Sequence, residues 1–560
     1  MKKIILISSI SFSCLISGYS QPGALDSSFA RNGISITNFS DWETDFSSIV
    51  IQKDDKILVA GYTWNGKNFD FTISRYNTDG TLDTTFSEDG RQITDFRSGN
   101  DYAHSVAIQH DGKIVVVGSA GSGGPDNFSD FAIARYHTDG NLDSTFSGDG
   151  KQITDVNSNY DNANSLAIQT DGKIVVAGLG KRDDPDVFDV CFAVVRYNLD
   201  GSLDTSFSED GKQVGFVSYT GAKSVAIQND SKIIVVGTIP YNQEQSAIAI
   251  ERFNTDGTLD RNFGEMGGQI TEFSYSAIAN AIVTQPGGKI VVVGEIIYDD
   301  ESSRSSFFVG RYNSNGSLDS TFSEDGIQTT FFGSNDSYFT RARSVAIQGD
   351  GKIVVGGEAN GIALARYNSD GGLDSTFDND GKQNITGLET INSIAIANNK
   401  LYAAGHYGDL YPPGDESVQG ARGLVARFFL GDRNERPIVD LSIPYNIVSY
   451  SAPARIKLNA TGTDEDGKIT KVLFYSGSTL LHAEDVSPYG FLWTDVPVGN
   501  YTLTAKAFDD GGNVVTSNSI NVSVVTENVA PVVSIVSPVA DTTYAGPATI
   551  RLVAEAKDPN

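Results

Sequence analysis

The amino-acid sequence predicts an all-β fold in which a seven-bladed β-propeller is followed by β-sandwich domains. The first observation is that the segment Ser105–Gly118 has near-copies along most of the 560-residue chain, seven in all. The second is that a Leu-Asp-x-x-Phe motif recurs with them at intervals of 55 to 61 residues. The third is a change of pattern at Pro437. Seven related units of this length fit one closed repeat structure with smaller domains after it.

The repeated segment predicts a β-hairpin that supplies the first two strands of each unit. In Ser105–Gly118, two runs rich in β-branched residues flank Asp111-Gly112, and glycine accepts the positive φ angle that a tight primed turn requires. The other copies are Ser48–Gly61, Ser165–Gly178, Ser224–Gly237, Ala281–Gly294, Ser344–Gly357 and a shortened Ser393–Gly405.

A third and a fourth strand complete each unit. The third-strand runs are Phe71–Asn77, Phe131–His137, Phe192–Asn198, Ile248–Asn254, Phe307–Asn313, Ile362–Asn368 and Leu424–Phe429. The fourth strand is represented by Gln92-Ile93-Thr94 and its copies. Runs such as Ile114–Val117 are apolar on consecutive residues, which predicts sheets buried on both faces. Small buried meanders of four strands form a propeller, whereas a parallel β-helix would coil without tight hairpins.

The two ends of the repeat array are complementary. The fourth-strand pattern appears at Gly33–Phe39, before the first hairpin, and the array ends on the third strand Leu424–Phe429. We therefore expect the N-terminal strand to complete the last blade. Ring closure of this kind removes two exposed sheet edges.

These motifs also carry a family resemblance. The patterns SVAIQxDGKIVVVG, FAIARYNxDGxLDxTF and GKQIT resemble the bacterial delta-60 repeat proteins over about Gly23–Leu430, and the match recurs seven times. The resemblance implies a propeller on an exported protein and implies no particular reaction.

A different pattern follows the propeller. Residues 431–436 form a polar linker, and the elements Thr463–Ile469, Pro488–Trp493 and Ala505–Gly511 resemble bacterial Ig-like domains. We assign residues 437–527 to one such domain and residues 528–560 to the start of a second, incomplete one. The resemblance implies β-sandwiches without a disulfide. The full predicted fold class is an all-β chain: a seven-bladed propeller at residues 21–430, then Ig-like β-sandwich domains.

The N-terminal sequence indicates the cellular compartment of the protein, and its net charge limits the classes of partner that it can bind. Residues 1–20 predict a signal peptide, because Met1-Lys2-Lys3 precedes a short apolar run and small residues end near Ser20. We expect a secreted or cell-surface protein. A net charge of −29 argues against a nucleic-acid partner, and no later apolar run is long enough for membrane insertion. We expect a monomer.

Arginines and aspartates recur at fixed positions of the repeat. The third-strand arginines are Arg75, Arg135, Arg196, Arg252, Arg311, Arg366 and Arg427. The aspartates of the Leu-Asp-x-x-Phe motifs are Asp26, Asp83, Asp143, Asp204, Asp260, Asp319 and Asp374. Ligand sites seldom repeat identically in every blade, so this repetition favours structural Arg–Asp pairs over a ring of ligand-binding charges.

We expect no cofactor. The alternative is calcium, because the repeated acidic turns are similar to calcium-binding loops. Fitting Gly80 to the invariant glycine of an EF-hand loop places Arg75 and Phe86 where that loop needs carboxylates. Capping of Asx-type turns is therefore the default interpretation of these loops. In the Ig-like domain, Asp464, Asp466 and Asp509 are somewhat better metal candidates, although they too fit ordinary turns.

The sequence offers little machinery for catalysis. The five histidines share no motif with a serine or cysteine nucleophile, and none has zinc-type spacing. A glycosidase-type pair of carboxylates stays open, since such residues need only meet in space. We therefore favour a non-catalytic binding, adhesion or scaffold protein, with an extracellular carbohydrate-active enzyme as the rival.

Comparison of the copies predicts two unlike faces of the propeller. The turns between strands 1 and 2 and between strands 3 and 4 hardly change, and we call their side the uniform face. The connections from strand 2 to 3, and from strand 4 to the next blade, vary and emerge together on the opposite side, the variable face. Binding residues usually sit on such loops.

Aromatic residues in or beside the variable loops are the candidate contacts for a glycan or an extracellular protein. They are Trp42, Tyr62, Trp64, Tyr102, Tyr160, Tyr219, Tyr241, Tyr298, Tyr338, Tyr407 and Tyr411. We expect Trp42 and Trp64 to be near neighbours on this face. The alternative is that many of these side chains fold back over their own loops.

Overall fold

The computed structural model describes residues 21–39, 43–124, 128–157, 160–182, 190–218, 220–242, 245–298, 304–332, 339–387, 390–408, 420–431, 436–464, 469–509, 514–526 and 531–557. The predicted signal peptide lies outside these ranges. Contacts divide the chain into two compact units, one of which is Gln21–Gly431. Among the described residues, no helix has the length and apolar character needed to cross a membrane.

Six blades of the first unit are consecutive four-stranded antiparallel meanders. Blade 1 contains β2 (Thr44–Ile51), β3 (Ile57–Trp64), β4 (Phe69–Tyr76) and β5 (Arg91–Thr94). Blade 2 contains β6 (Asp101–Ile108), β7 (Ile114–Gly121), β8 (Ser129–Tyr136) and β9 (Lys151–Thr154). Blade 3 contains β10 (Asn162–Ile168), β11 (Ile174–Lys181), β12 (Val190–Tyr197) and β13 (Lys212–Ser218).

The next three blades repeat this order. Blade 4 contains β14 (Ala222–Ile227), β15 (Ile233–Pro240), β16 (Ser246–Phe253) and β17 (Gly268–Thr271). Blade 5 contains β18 (Ser276–Thr284), β19 (Ile290–Ile297), β20 (Ser305–Tyr312) and β21 (Ile327–Thr330). Blade 6 contains β22 (Thr340–Ile347), β23 (Ile353–Ala359), β24 (Gly361–Tyr367) and β25 (Lys382–Thr386).

Blade 7 is built from both ends of the unit. It contains β26 (Thr390–Ala397), β27 (Lys400–Tyr407), β28 (Arg422–Phe429) and, as its fourth strand, β1 (Ile34–Thr37). β1 pairs antiparallel with β28, with Ile34 opposite Ala426 and Thr37 opposite Gly423. The seven-bladed propeller and its closure by the N-terminal strand are confirmed.

The continuous apolar runs fill the spaces between blades. Along β7, Ile114 and Val116 pack toward blade 1, while Val115 and Val117 pack toward blade 3, and all four are fully buried. Alternate residues of a strand point to opposite faces, so a strand with a blade on each side needs no polar positions. A hydrophobic cluster of this kind lies at each of the seven blade interfaces, including the one between blades 7 and 1.

The innermost strand of every blade carries a β-bulge near the variable face. In blade 2 the pairing of β6 with β7 skips His104, because Ala103 lies opposite Gly118 and Ser105 lies opposite Val117. The bulge pushes the backbone toward β7: a Cβ atom on Gly118 would lie 1.9 Å from the carbonyl oxygen of Tyr102. In six of the seven blades the glycine that ends the repeated hairpin is therefore required by the bulge opposite it, and Gly237 of blade 4 is crowded by Phe192 instead.

The second unit contains a β-sandwich. One sheet has the order β29 (Ile438–Ser442), β31 (Ala454–Thr463), β34 (Tyr489–Val496). The other has the order β30 (Ser449–Ser451), β37 (Ile520–Val525), β35 (Gly499–Asp509), β32 (Ile469–Ser476), β33 (Thr479–Glu484), with β36 (Val514–Thr516) paired to β35. A 3₁₀ turn, Pro444–Asn446, follows β29. β38 (Val532–Ser537) and β39 (Val553–Lys557) form a separate hairpin.

Candidate ligand-binding site

Each third-strand arginine is ion-paired with the aspartate of its own blade on the uniform face. The distance from Arg Nε to Asp Oδ2 is 2.7 to 2.8 Å in all seven pairs. Each guanidinium also lies over the phenylalanine of the Leu-Asp-x-x-Phe motif, 4.6 to 4.9 Å from the ring centre. The structure thus gives these arginines two side-chain neighbours of fixed type, an aspartate and a phenylalanine.

A lysine that sequence reasoning missed is the third member of each group. The lysine of the Asp-Gly-Lys turn in blade 2, Lys113, places its Nζ 2.9 Å from Asp143 Oδ2, and the other blades repeat the contact at 2.7 to 3.7 Å. Burial raises the pKa of Asp143, but hydrogen bonds from Thr145 and Lys113 and the charge of Arg135 lower it overall to below its ordinary range.

The same arginines connect neighbouring blades. Arg135 Nη1 donates to the carbonyl oxygen of Leu199, and Arg196 Nη1 donates to that of Thr255 at 2.6 Å. Arg427 Nη1 donates to the carbonyl oxygen of Thr78 at 2.5 Å, which joins blade 7 to blade 1. The arginines therefore span the uniform face from one blade to the next.

The acidic turns make the hydrogen bonds of Asx turns. Asp79 Oδ1 accepts from the backbone nitrogen of Thr81 at 3.0 Å and from its hydroxyl at 2.6 Å, and these bonds lower the pKa of Asp79. In the sandwich, Asp464 follows β31, Asp509 is buried at the end of β35, and Asp466 lies outside the described residues.

Two clusters of three aspartates, which the sequence did not single out, have the geometry to hold a cation. They are Asp70, Asp95 and Asp101 between blades 1 and 2, and Asp130, Asp155 and Asp161 between blades 2 and 3; in each, one carboxylate oxygen per residue lies within 4.8 Å of the others. Burial raises the pKa of Asp101 to about 7, although the backbone nitrogens of Phe96 and Gly121 donate to it. Carboxylate oxygens are the ligands that calcium prefers.

The predicted aromatic contacts fall into several groups. Tyr62, Trp64 and Tyr102 are half-buried around Phe69, with centre-to-centre distances of 5.0 Å between Tyr62 and Tyr102 and 5.1 Å between Trp64 and Phe69. Tyr298 is half-buried between Tyr275 and Phe331. Tyr160, Tyr241 and Tyr407 are exposed. Four of the predicted contacts lie outside the described residues: Trp42, Tyr219, Tyr338 and Tyr411. The expected proximity of Trp42 to Trp64 therefore stays a prediction.

The seven bulge positions place one side chain per blade around the propeller axis, because they lie on the innermost strands, which contact one another in succession around the ring. The bulge residues are Ser47, His104, Asn164, Lys223, Asn280, Arg343 and Asn392. The three asparagines donate to backbone carbonyls of the following blade at 2.8 to 3.1 Å. The other four side chains differ from blade to blade. We call these seven residues the axial ring.

A polar network extends from the axial ring across the variable face. Arg341 Nε contacts Glu295 at 3.2 Å, and Arg343 Nη2 donates to Glu358 at 3.0 Å. The hydroxyl of Thr390 donates to the other oxygen of Glu358 at 3.0 Å.

The network continues through blade 7 into blade 1, where Asp45 is buried. Asn392 donates to Asp45 at 2.8 Å, Tyr62 donates to it at 3.2 Å, and the Nδ1 atom of His406 lies 3.2 Å from it. Side chains from four consecutive blades, 5, 6, 7 and 1, thus meet near the axis.

Glu43 and His104 are titratable groups of this region with strongly shifted pKa values. Burial and the nearby charge of Asp45 raise the pKa of Glu43 from 4.5 to about 7, against the opposing effect of His406. Burial and the charge of Lys223 lower the pKa of His104 from 6.5 to about 4. At neutral pH, His104 is therefore uncharged and Glu43 is partly protonated.

Sequence reasoning missed the axial ring, although a signal for it exists. The repeated motif begins at the serine of Ser105–Gly118, and the bulge residue is the one directly before that serine. In a comparison of the copies, this position alternates between asparagine and unrelated residues next to a nearly constant serine. A variable position beside constant ones is the pattern expected of a site built on a fixed scaffold.

Comparison with known families and structures agrees with this architecture. Residues 52–86, 109–146, 169–207, 228–263, 285–322 and 348–377 match a family described as a domain of unknown function (DUF5122) β-propeller. Residues 437–505 match a family described as a bacterial Ig domain. No curated protein matches the chain.

Several solved structures are similar to parts of the chain. Fibronectin(III)-like modules of CbhA from Clostridium thermocellum are 30% identical over 16% of this chain and 94% of their own, with a TM-score of 0.15. An α-L-arabinofuranosidase from C. thermocellum is 13% identical over 50% of this chain and 94% of its own, with a TM-score of 0.24. An extracellular domain from B. thetaiotaomicron is 11% identical over 86% of this chain and 81% of its own, with a TM-score of 0.21. TM-scores this low carry no argument about chemistry.

Proposed function

The chain belongs to the DUF5122 β-propeller family over residues 52–377 and to the bacterial Ig domain family over residues 437–505, and from this premise we propose that it is an exported, non-catalytic binding protein. The propeller binds a glycan or an extracellular protein at its variable face, and the Ig-like domains act as spacers. The signal-peptide pattern of residues 1–20 and the bacterial Ig domain support export to the cell surface or the medium.

One observation carries the proposal: the blade-specific side chains converge at one end of the axis. The uniform face repeats the same Arg–Asp–Lys group in every blade, as a structural device does. At the opposite end, His104, Lys223 and Arg343 break the repetition at a single structural position. A closed ring holds them on rigid strands, which is the arrangement expected of a preorganised binding site.

A binding screen of the full chain against bacterial and host glycans and matrix proteins tests the proposal. For any ligand found, His104→Ala should weaken binding, while His110→Ala should leave it unchanged, because His110 is an exposed histidine on the uniform face. Equal effects of the two substitutions would contradict binding at the axial ring. A screen without a ligand would contradict the proposal altogether.

A carbohydrate-active enzyme is the second candidate, and the proximity of Glu43 and Asp45 favours it. Glu43 directly precedes β2, Asp45 lies in it, and the two carboxyl groups are close enough for Asp45 to raise the pKa of Glu43. A carboxylic acid that keeps its proton near neutral pH next to a second carboxyl group is the pattern of glycosidases. Release of reducing ends from polysaccharides, abolished by Glu43→Gln, would support this candidate over the first.

A further inference from the structure

We propose that the axial ring binds an acidic sugar, a uronic-acid residue of a glycan, with Lys223 and Arg343 contacting its carboxylate and the neutral groups around them contacting its hydroxyls. This inference rests on the proposed function and names the chemical class of its ligand.

The axial ring concentrates positive charge in a strongly acidic protein. The chain carries 41 lysines and arginines against 70 aspartates and glutamates, yet two of the four blade-specific ring positions are cations and none is an anion. Lys223 is exposed, and no ion pair of the described residues includes it. An exposed cation that faces the axis without a counter-ion is suited to an anionic ligand.

The second cation, Arg343, is oriented by a carboxylate but keeps a hydrogen-bond donor without an acceptor among the described residues. Arg343 is oriented by Glu358, to which its Nη2 donates at 3.0 Å. Its Nε atom is buried and has no hydrogen-bond acceptor among the residues that the structure describes. The Arg343 side chain is nevertheless 33% exposed, so a guanidinium oriented by Glu358 still presents part of its planar donor edge to a ligand carboxylate.

The nearby carboxylates are mostly engaged by the protein itself. Asp45 accepts from Asn392 and Tyr62, Glu358 from Arg343 and Thr390, and Glu295 from Arg341. Glu43 is partly neutral at pH 7. Asp45 is held by neutral donors and keeps its negative charge, whereas Lys223 is the cation of this group that no carboxylate of the described residues pairs with.

The remaining groups suit a sugar better than a peptide. The neutral imidazole of His104 both donates and accepts hydrogen bonds, as does the protonated carboxyl of Glu43, which matches the dual character of hydroxyl groups. Tyr62 and Tyr102 stand beside this region with ring centres 5.0 Å apart and are half-buried, so they offer ring edges and faces to the C–H surface of a pyranose.

Isothermal titration of the full chain with a galacturonic-acid tetrasaccharide, and with the neutral galactose tetrasaccharide as the matched ligand, tests the inference. We expect the acidic sugar to bind at least about tenfold more tightly, since a charge-assisted contact contributes that much. Lys223→Gln should remove the preference. The control Lys53→Gln, which deletes the same charge from an exposed position on the uniform face, should keep it.

Three results would overturn the inference. One is equal affinity for the two tetrasaccharides. The second is equal effects of Lys223→Gln and Lys53→Gln. The third is equal competition by a glutamate-rich peptide, which would assign the site to acidic proteins. If a neutral glycan or a protein binds and His104→Ala weakens it, the proposed function stands and only the acidic sugar is wrong; if nothing binds at the variable face, both are wrong.

Discussion

Arg135 joins three parts of the propeller through one guanidinium group. It contacts Asp143 of its own blade at 2.8 Å, donates to Thr145 at 3.1 Å and donates to the backbone of Leu199 in the next blade. The side chains of Arg135 and Asp143 are 4% and 0% exposed. Pairs this deeply buried behave differently from surface pairs, because removing one partner leaves a desolvated charge, here Asp143 with Lys113 as its remaining lysine or arginine partner.

We expect Arg135→Ala to cost on the order of 3 kcal/mol in the free energy of unfolding. Arg91→Ala, which breaks a pair with Asp89 that is largely open to solvent, should cost below about 1 kcal/mol. Urea unfolding of both variants measures the difference. Unchanged stability of Arg135→Ala together with altered ligand affinity would instead make these arginines ligand-binding residues.

The contribution of Glu43 to the free energy of unfolding falls as the pH rises, whereas the contribution of the paired aspartates falls as the pH drops. Its pKa is about 7 in the fold and about 4.5 in the unfolded chain, so between these values the folded state holds a proton that the unfolded chain has released. Stability from this group is complete below pH 4.5 and is lost as the pH rises to 7. Asp374, whose pKa is lowered to about 2 in the fold despite its burial, contributes above pH 3.8 and loses its contribution below that.

We expect Glu43→Gln to melt at a higher temperature than the parent at pH 8 and at nearly the same temperature at pH 4.5, because glutamine mimics the protonated acid. Glu88→Gln, which replaces an exposed carboxylate on the uniform face, serves as the control and should show no such difference between the two pH values. Thermal melts at both pH values measure this. If Glu43→Gln changed the melting temperature by the same amount at pH 4.5 and at pH 8, burial of the ionised Glu43 carboxylate would not destabilise the fold.

At the scale of strands, the bulge and its glycine form one unit. Gly118 faces the carbonyl oxygen of Tyr102 so closely that any Cβ atom would overlap it, at 1.9 Å. The same short approach recurs at Gly61, Gly178, Gly294, Gly357 and Gly405, at 1.8 to 2.0 Å. Relief of the overlap requires the bulge to straighten, which would move His104 away from its position on the axis.

Gly118→Ala should therefore destabilise the protein by more than about 2 kcal/mol. Gly349→Ala is the matched control: it has open space around the added methyl group and an ordinary φ angle, so it should be neutral or slightly stabilising. Denaturant midpoints of the two variants test this. Equal midpoints would mean that the innermost strand adapts without cost.

The sequence predicted the strands well and the axial ring not at all, for a physical reason. Alternating and continuous apolar runs report burial directly, so Ile114–Val117 predicted a strand packed on both sides. The position of His104 depends on one extra residue in the pairing of two strands, and a bulge leaves no trace in hydrophobicity. The role of Lys113 was likewise missed, because it depends on a contact with Asp143, which is thirty residues away in the sequence. The turn at Asp111-Gly112, by contrast, could be predicted from these two neighbouring residues alone.

At the scale of the whole molecule, the ring is closed by contacts equivalent to those at the other blade interfaces. Tyr76 of blade 1 donates to Thr37 of β1 at 2.7 Å, just as Tyr136 of blade 2 donates to Thr94 of blade 1 at 2.8 Å. On the axis, Ser393 accepts from the backbone nitrogen of Ile49 at 3.3 Å, as Ser48 accepts from Val106 at 3.2 Å. The interface between blades 7 and 1 is thus chemically the same as the others.

Deletion of residues 21–39 should sharply lower the melting temperature or cause aggregation. It removes β1 and the Asp26 partner of Arg427, and it exposes two sheet edges. Thermal melts and light scattering measure the effect, and addition of a synthetic peptide of residues 21–39 should restore part of the loss. A truncated protein that melts like the parent would disprove closure by β1.

The pairing of β1 with β28 also sets an order of events during biosynthesis. Ile36 lies opposite Leu424, almost 390 residues later, so the strand that a ribosome makes first finds its partner last. Each of blades 1 to 6 can complete its own sheet as it emerges, but blade 7 has to wait until both ends of the array have been made. The final closing step then brings distant segments together, which is slow compared with local pairing. A chain exported in an extended state would therefore acquire its complete ring, and with it the finished axial ring, only after translocation has passed Phe429.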